Sequence, residues 1–352
     1  MYIKQKNPHG GDIYFRDIVL DISSNINPAG MPEKVKQAIR DAADDCERYP
    51  DAYCRQLRKS ISAAEEVPED CIICGNGAAE MIYAYAYSLG TERPALIVSP
   101  TFSDYQEALE SAGVETEHYL LRKEDGLRLT DDILERDLCS YSAVFICTPN
   151  NPTGIAVEPE LLRRIADTGA RLFIDMCFLD LTDQPDRYSI PDLLVQYPGV
   201  TVLRAFTKSY AMAGVRLGYA MSSDSELLER MSSKTQCWNV SSIAQQAGIA
   251  ALECADWLKE SVREISRERK RLTEELQSLG VEVWPGEANY LLLRTDIDLY
   301  EEMLSRRILV RDCSNYRDLD KGYYRIAVRA EEENDLFLNT IREVLKWARQ
   351  NR

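Results

Sequence analysis

The chain holds only two histidines, His9 and His118, in 352 residues. A Ser/His hydrolase or a histidine-rich metal centre needs imidazoles in supply, so both are disfavoured at the outset. Positive charge is also short: 58 acidic against 42 basic side chains give a formal charge of −16. Nucleic acids and anionic membrane surfaces are polyanions that repel such a chain, so neither is an expected partner. Any anionic ligand has to be held by local arginines, not by the overall field. Long apolar runs are missing. No stretch approaches transmembrane length, and the opening MYIKQKNPHGGD has no apolar segment of signal-peptide type. The ten cysteines are then expected to be reduced thiols of a cytoplasmic protein. Cys71 and Cys74 have CxxC spacing, but no second pair accompanies them and they lie in an apolar, strand-like run. Buried strand is the expected reading for them, ahead of metal or redox chemistry. No strand-like run is followed by GxGxxG, the signature a nicotinamide-dependent dehydrogenase would carry. Internal repeats, low-complexity tracts and a disordered linker are absent as well.

What is present is an alternation. With 45% hydrophobic residues the chain can bury a sizeable core, in two domains or one large domain with an appendage. Strand-like runs occur at CIIC (71–74), ALIVS (95–99), AVFIC (143–147), RLFID (171–175), TVLRAF (201–206) and RLGYAM (216–221). Helical patterns start near 32, 53, 78, 102 and 158; the first opens on Pro32 and carries Val35, Ala38, Ile39 and Ala42 on one face. Alternating strands and helices predict an α/β fold with a mostly parallel sheet flanked by helices. From about 224 the texture changes. A helical region rich in Glu, Lys and Arg runs to Leu279, with a break near 254–256. VEVW, NYLLLR, ILVR and YYRIAV then read as short strands, with a helix near 298–306 and an amphipathic helix over about 331–350. This mixture predicts a smaller α+β domain. The expected division is an N-terminal arm over 1–30, a large domain over 31–240 and a small domain over 241–352.

Three polar residues fall where strand-like runs end: Asn151 after AVFIC, Asp175 closing RLFID, and Lys208 after TVLRAF. In an open parallel sheet, ligands bind outside the carboxyl ends of the strands, so these positions converge although they are distant in sequence. A lysine against apolar surface loses its proton cheaply and can attack a carbonyl to form a Schiff base. Arg216, eight residues later, can hold a phosphate through its fork of N–H donors. Aldehyde capture beside phosphate capture is what pyridoxal 5'-phosphate (PLP) requires. A carboxylate at Asp175 would keep the pyridine nitrogen protonated, and an amide at Asn151 could donate to the ring oxygen. Gly75-Asn76-Gly77-Ala78-Ala79-Glu80 joins a strand to a helix, and its amides could face a phosphate. Phe102, in SPTFSDY, could stack on a flat ring. Taken singly, a surface lysine, a turn asparagine and a capping aspartate are ordinary features; their joint spacing is not.

These motifs, with Thr148-Pro149-Asn150-Asn151-Pro152-Thr153-Gly154, resemble those of fold-type I PLP enzymes. More narrowly, the chain is similar to the branch that holds histidinol-phosphate aminotransferases and threonine-phosphate decarboxylases. The resemblance runs from His9 to the last helix. Its ends, His9-Gly10-Gly11, Ser24-Asn25-Ile26-Asn27-Pro28, Glu47-Arg48-Tyr49-Pro50-Asp51, Ala288-Asn289-Tyr290 and the stretches 307–311 and 323–329, look most like the decarboxylases of cobalamin biosynthesis. The resemblance implies catalytic roles for Lys208 and Asp175. It implies a cofactor site of Gly77, Ala78, Ala79, Phe102, Asn151, Asp175, Thr207, Lys208, Arg216 and Tyr49. It also implies that Arg325 takes a substrate carboxylate, while His9, Gly10, Asn25, Asn151 and Arg311 help hold a phosphorylated amino acid. Tyr49 would reach into a neighbouring subunit, making a homodimer with shared sites. The sequence departs from the family at Ala205, where Ser or Thr is common, and at Asp175-Met176-Cys177-Phe178. There Phe178 stands where many aminotransferases have tyrosine, and the decarboxylases are similar to this chain in having Phe. The implied activity is decarboxylation of L-threonine O-3-phosphate, with transamination of histidinol phosphate or a related amino acid as the alternative. A PLP-sensing transcription regulator would need a DNA-binding segment, and only about thirty residues precede the first helix.

Overall fold

The computed structural model describes residues 9–14 and 17–350. Residues 1–8 and 15–16 of the expected N-terminal arm, and the last two residues, lie outside them. The strands in chain order are β1 (Leu20–Asp21), β2 (Ile72–Gly75), β3 (Ala95–Ser99), β4 (Thr116–Leu120), β5 (Val144–Cys147), β6 (Leu172–Asp175), β7 (Val200–Ala205) and β8 (Gly218–Ser222), followed by β9 (Glu282–Trp284), β10 (Tyr290–Arg294), β11 (Ile308–Leu309), β12 (Arg311–Asp312) and β13 (Tyr323–Ala327). Seven of them form one sheet in the order β2-β8-β7-β6-β5-β3-β4. Every neighbouring pair is parallel except those made by β8, which runs antiparallel to both β2 and β7.

Both faces of this sheet are covered, which is why its strands read as continuous apolar runs. Side chains alternate between two cores. Val144, Ile146, Leu172, Ile174, Val200 and Val202 enter one core; Phe145, Phe173, Leu203 and Ala220 enter the other. Met176 belongs to the first core at 2% exposure, which gives this unusual residue a packing role. The strand β4 was not legible in the sequence. It is an edge strand reading TEHYL, half-exposed along its length, and edge strands need no apolar run.

The helical stretch expected from 224 to 279 is three helices, Ser225–Ser232, Ser242–Leu252 and Ala255–Ser278. The extra break at 233–241 is set by capping. Ser241 accepts from the Ala244 amide, as Asp224 accepts from Leu227 at the start of the preceding helix. Helix Ser242–Leu252 places Ala244, Ala247 and Ala251 in the core shared with Val35 and Leu57. The long helix Ala255–Ser278 bridges two cores: Trp257 packs on that same cluster, while Ile265, Leu272 and Leu276 enter a third. This third core lies under a four-stranded antiparallel sheet in the order β12-β13-β10-β9. The N-terminal segment ties the parts together. β1 pairs in parallel with β11, and Asn27 then donates from its backbone to the Lys208 carbonyl at 3.1 Å and from its side chain to the Ser209 carbonyl at 2.9 Å. No described helix is long and apolar enough to cross a membrane.

Candidate active site

The carboxyl ends of β2, β3, β5, β6 and β7 open into one cleft of about 260 Å³. Two elements close it from above. The small sheet contributes Arg311 and Arg325, and the N-terminal segment contributes His9, Gly10 and the stretch 23–25. Glycines allow the close approaches on its floor. A Cβ on Gly77 (φ +84°) would stand 2.5 Å from Nη2 of Arg216, and a Cβ on Gly218 would stand 2.6 Å from the Ala78 amide nitrogen. The Arg216 guanidinium therefore lies against the start of helix Ala78–Ala86, with Ala78, Ala79 and Thr207 lining the same pocket. Helix amides, a hydroxyl and a guanidinium at one point make a cradle for a phosphate. Ala205 lines it without a hydroxyl.

Lys208 sits in the short helix Phe206–Ser209 immediately after β7. Its loop is anchored from below: Arg204 is bound to Asp180 at 2.6 Å, and Asp180 accepts from the Ser209 hydroxyl at 2.9 Å. The amine stands 6.0 Å from the centre of the Phe178 ring. Burial, reinforced by the charges of Arg325 and Arg216, lowers its pKa to about 8. Asp175 ends β6 at 6% exposure. It accepts from the Tyr105 hydroxyl at 2.6 Å and the Cys177 amide at 2.9 Å. Burial pushes its pKa up, although these donors favour the charged form. Both donors are neutral, so the buried carboxylate lacks a countercharge. The protonated nitrogen of a pyridine ring supplies one, and the pocket fits PLP on that ground. The Cys177 thiol faces the same carboxylate, and burial with that charge pushes its pKa well up.

The amide of Asn151 is oriented by its neighbours. The Tyr316 hydroxyl, at 3.1 Å, and Nη1 of Arg325 both donate to its Oδ1. With the oxygen so occupied, Nδ2 is left as the donor for a ligand. Arg325 also donates to the Ser23 carbonyl at 2.8 Å, and its guanidinium lies 5.6 Å from the Tyr290 ring centre. Arg311 donates to the Asp312 carbonyl, and to Asn315 at 2.8 Å. Arg311 and Arg325 are directly opposite on the β12–β13 ladder, at 7% and 6% exposure. Like charges so placed are destabilising, which marks the pair as a site for anions. Gly10 permits the N-terminal segment to close on this site: a Cβ there would stand 2.2 Å from the Ser23 carbonyl oxygen.

The structure thus brings His9, Gly10, Asn25, Ala78, Ala79, Phe102, Asn151, Asp175, Thr207, Lys208, Arg216, Arg311 and Arg325 to one cleft. Gly77 lies just behind Arg216. Tyr49 is not brought there; it is 78% exposed and stacks on Trp238 with ring centres 4.4 Å apart. Sequence reasoning missed Tyr105, Cys177, Tyr316 and the 23–24 serines. Tyr105 closes SPTFSDY one helical turn after Phe102, and the two rings meet edge to face at 5.8 Å. An i, i+3 aromatic pair at a helix start was the signal available for it. Tyr316 lies in the irregular stretch between β12 and β13, where no periodicity points to it.

A lysine, a carboxylate and a phosphate cradle at the strand ends of a seven-stranded sheet, lidded by a small antiparallel sheet, define a PLP-dependent enzyme of fold type I. The family model for aminotransferase class I and II matches residues 17–341. The chain is 40% identical over 353 aligned residues to the threonine-phosphate decarboxylase of Salmonella typhimurium, covering 96% of each. Among solved structures it superposes on a histidinol-phosphate aminotransferase from Clostridium acetobutylicum with a TM-score of 0.87 at 30% identity, over 93% of this chain and 99% of that one. It also superposes on the histidinol-phosphate aminotransferase of Sinorhizobium meliloti in complex with pyridoxal-5'-phosphate, with a TM-score of 0.83 at 21% identity, over 95% and 92%. The chain belongs to the class I and II aminotransferase family, and its cofactor is PLP.

Proposed function

We propose that the protein decarboxylates L-threonine O-3-phosphate to 1-aminopropan-2-ol phosphate, a step of cobalamin biosynthesis. The observation that carries this reading is the facing pair Arg311 and Arg325 on the rim of the Lys208 cleft. Two guanidiniums at directly opposite positions suit a substrate with two anionic groups, a carboxylate and a phosphate. The extent of identity to a threonine-phosphate decarboxylase supports the same choice. When bound, PLP accepts the electron pair left on the substrate Cα. Lys208 would anchor the cofactor, Asp175 would hold the proton on its ring nitrogen, and Asn151 would donate to its ring oxygen. Phe178 lines the cleft as a ring without a hydroxyl. Arg325 would hold the carboxylate while Arg311, His9, Gly10 and Asn25 hold the phosphate. Holding a short substrate at both ends fixes which Cα bond stands out of the ring plane, and a misplacement of about 1 Å costs ~100-fold.

Purified holoenzyme is expected to release carbon dioxide from phosphothreonine with no keto acid added. If turnover needs 2-oxoglutarate, and pyridoxamine phosphate accumulates without it, the decarboxylase reading fails. Transamination then stands in its place, a reading favoured by the likeness to the Clostridium aminotransferase.

Arg311→Lys separates the two anions. It replaces a bidentate fork by a point charge. The KM for phosphothreonine should rise by at least about tenfold, roughly 1.4 kcal/mol, with plain threonine changed far less. Equal losses for both substrates would remove the assignment of Arg311 to phosphate.

The exposed aromatic face of Tyr49, Tyr53 and Trp238 fits a homodimer in which Tyr49 completes the neighbouring site. All ten cysteines are free thiols, in keeping with a cytoplasmic enzyme.

A further inference from the structure

The start of helix Ala78–Ala86 is held by a residue that does not line the cleft. Gly77 is the N-cap and offers no side-chain bond, so the first amides of the helix keep their N–H groups for a ligand. Glu80 stands at the third helical position, from which a carboxylate commonly reaches back to the N-cap amide. Here it reaches one residue further: Oε2 accepts from the Asn76 amide at 2.6 Å. The Gly77 amide is bound in turn to the Gly75 carbonyl at 2.8 Å. Both amides of the turn are thus engaged within it, and those of Ala78 and Ala79 are the ones that can face a phosphate.

The same carboxylate oxygen is fixed from a second side. Nδ2 of Asn239 donates to Oε2 of Glu80 at 2.6 Å and to the Cys74 carbonyl of β2 at 3.3 Å. One side-chain amide therefore ties strand to helix across the turn. Asn239 follows Trp238, whose backbone is left-handed (φ +58°). A bulky residue adopts that conformation only where its surroundings over-determine it. Without such work a carboxylate here is a liability: it stands in the first turn of a helix whose amides receive an anion, and like charges repel.

We propose that Glu80 and Asn239 are positioning residues for the cofactor phosphate. Together they fix the Gly75–Gly77 turn so that the Ala78 and Ala79 amides and Arg216 converge on one point. The Arg216 guanidinium rests against Gly77, so a turn that relaxes moves the seat of the arginine along with the amides. The inference holds whichever reaction the cofactor serves.

The test compares PLP with pyridoxal, the same aldehyde without the phosphate. Full-length parent and variants are equilibrated with graded concentrations of each, and the bound aldehyde is read from visible absorbance. Glu80→Ala should weaken PLP by at least about tenfold and pyridoxal by less than about threefold. Glu80→Gln removes the charge but keeps an oxygen that accepts from Asn76 and Asn239, so it should hold PLP within about threefold of the parent. Asn239→Ala leaves the carboxylate and removes its second tie; it should show the same selective loss at a smaller size. Thermal melting accompanies each variant, and Asn239→Ala carries the test if Glu80→Ala does not fold. The proposal is overturned if the alanine variant loses PLP and pyridoxal equally, which is a general defect of the pocket. It is overturned equally if Glu80→Ala binds PLP as tightly as the parent or more tightly, the result of a carboxylate that only repels the phosphate. A Glu80→Gln variant as weak as Glu80→Ala overturns it too.

Discussion

Asp175→Asn is expected to lower turnover by at least ~10³-fold, about 4 kcal/mol in barrier height. The carboxylate is buried and its two hydrogen bonds come from neutral donors, the Tyr105 hydroxyl and the Cys177 amide. It is therefore the group placed to hold a positive ring nitrogen. An asparagine keeps the shape but removes the charge, and its NH2 must face one of the two existing donors. Thermal melting of the variant separates that local conflict from the loss of charge. Tyr105→Phe is the companion control: it deletes one donor, leaves the carboxylate, and should lose far less. An Asp175→Asn enzyme that folds normally, loads cofactor and turns over within about tenfold of the parent would contradict the role, since tenfold is only ~1.4 kcal/mol.

Lys208→Ala should be the more severe lesion, with turnover reduced at least ~10⁴-fold, because it removes the amine that, among the described residues, is the one lysine lining the cleft and able to form a Schiff base with the cofactor aldehyde. Borohydride treatment of the parent should fix the cofactor to the peptide that contains Lys208, and the variant should retain none there. Label on another lysine would displace the assignment. The lowered pKa adds a second readout. A lysine at about 8 has roughly a tenth of its amine neutral at pH 7, whereas an ordinary lysine near 10.4 has well under a thousandth. The neutral amine is the nucleophile, so the rate at which cofactor-free protein captures PLP should climb with pH and level off above about 9. A rate still climbing beyond pH 10 would mean that burial and the neighbouring arginines do not act on this amine as the structure indicates.

Much of this site was readable before the fold. Lys208, Asp175 and Asn151 each follow an apolar run that is buried on both faces, and such runs are the strongest signal a parallel sheet leaves in a sequence. Arg311 and Arg325 were visible as charges on adjacent short strands; their directly opposed register was not, because register depends on pairing across a connection of irregular chain. The edge strand β4 was lost for a related reason: it is only half-buried along its length, so TEHYL carries no apolar signature. Tyr105 could be seen only as an aromatic near a helix start. Its bond to Asp175 joins residues 70 apart and required the order β6-β5-β3 to bring them together. Cys177 looked anomalous as a family departure and becomes intelligible as a neighbour of Asp175.

The opposed arginines carry a consequence for selectivity. A molecule with a single negative charge compensates one guanidinium and leaves its cross-strand twin facing it unneutralised. A molecule with two anionic groups at the right separation relieves both. Discrimination against ordinary amino acids then requires no steric wall around the substrate. It arises from the strand pairing itself, which counts ligand charges in place of measuring ligand shape.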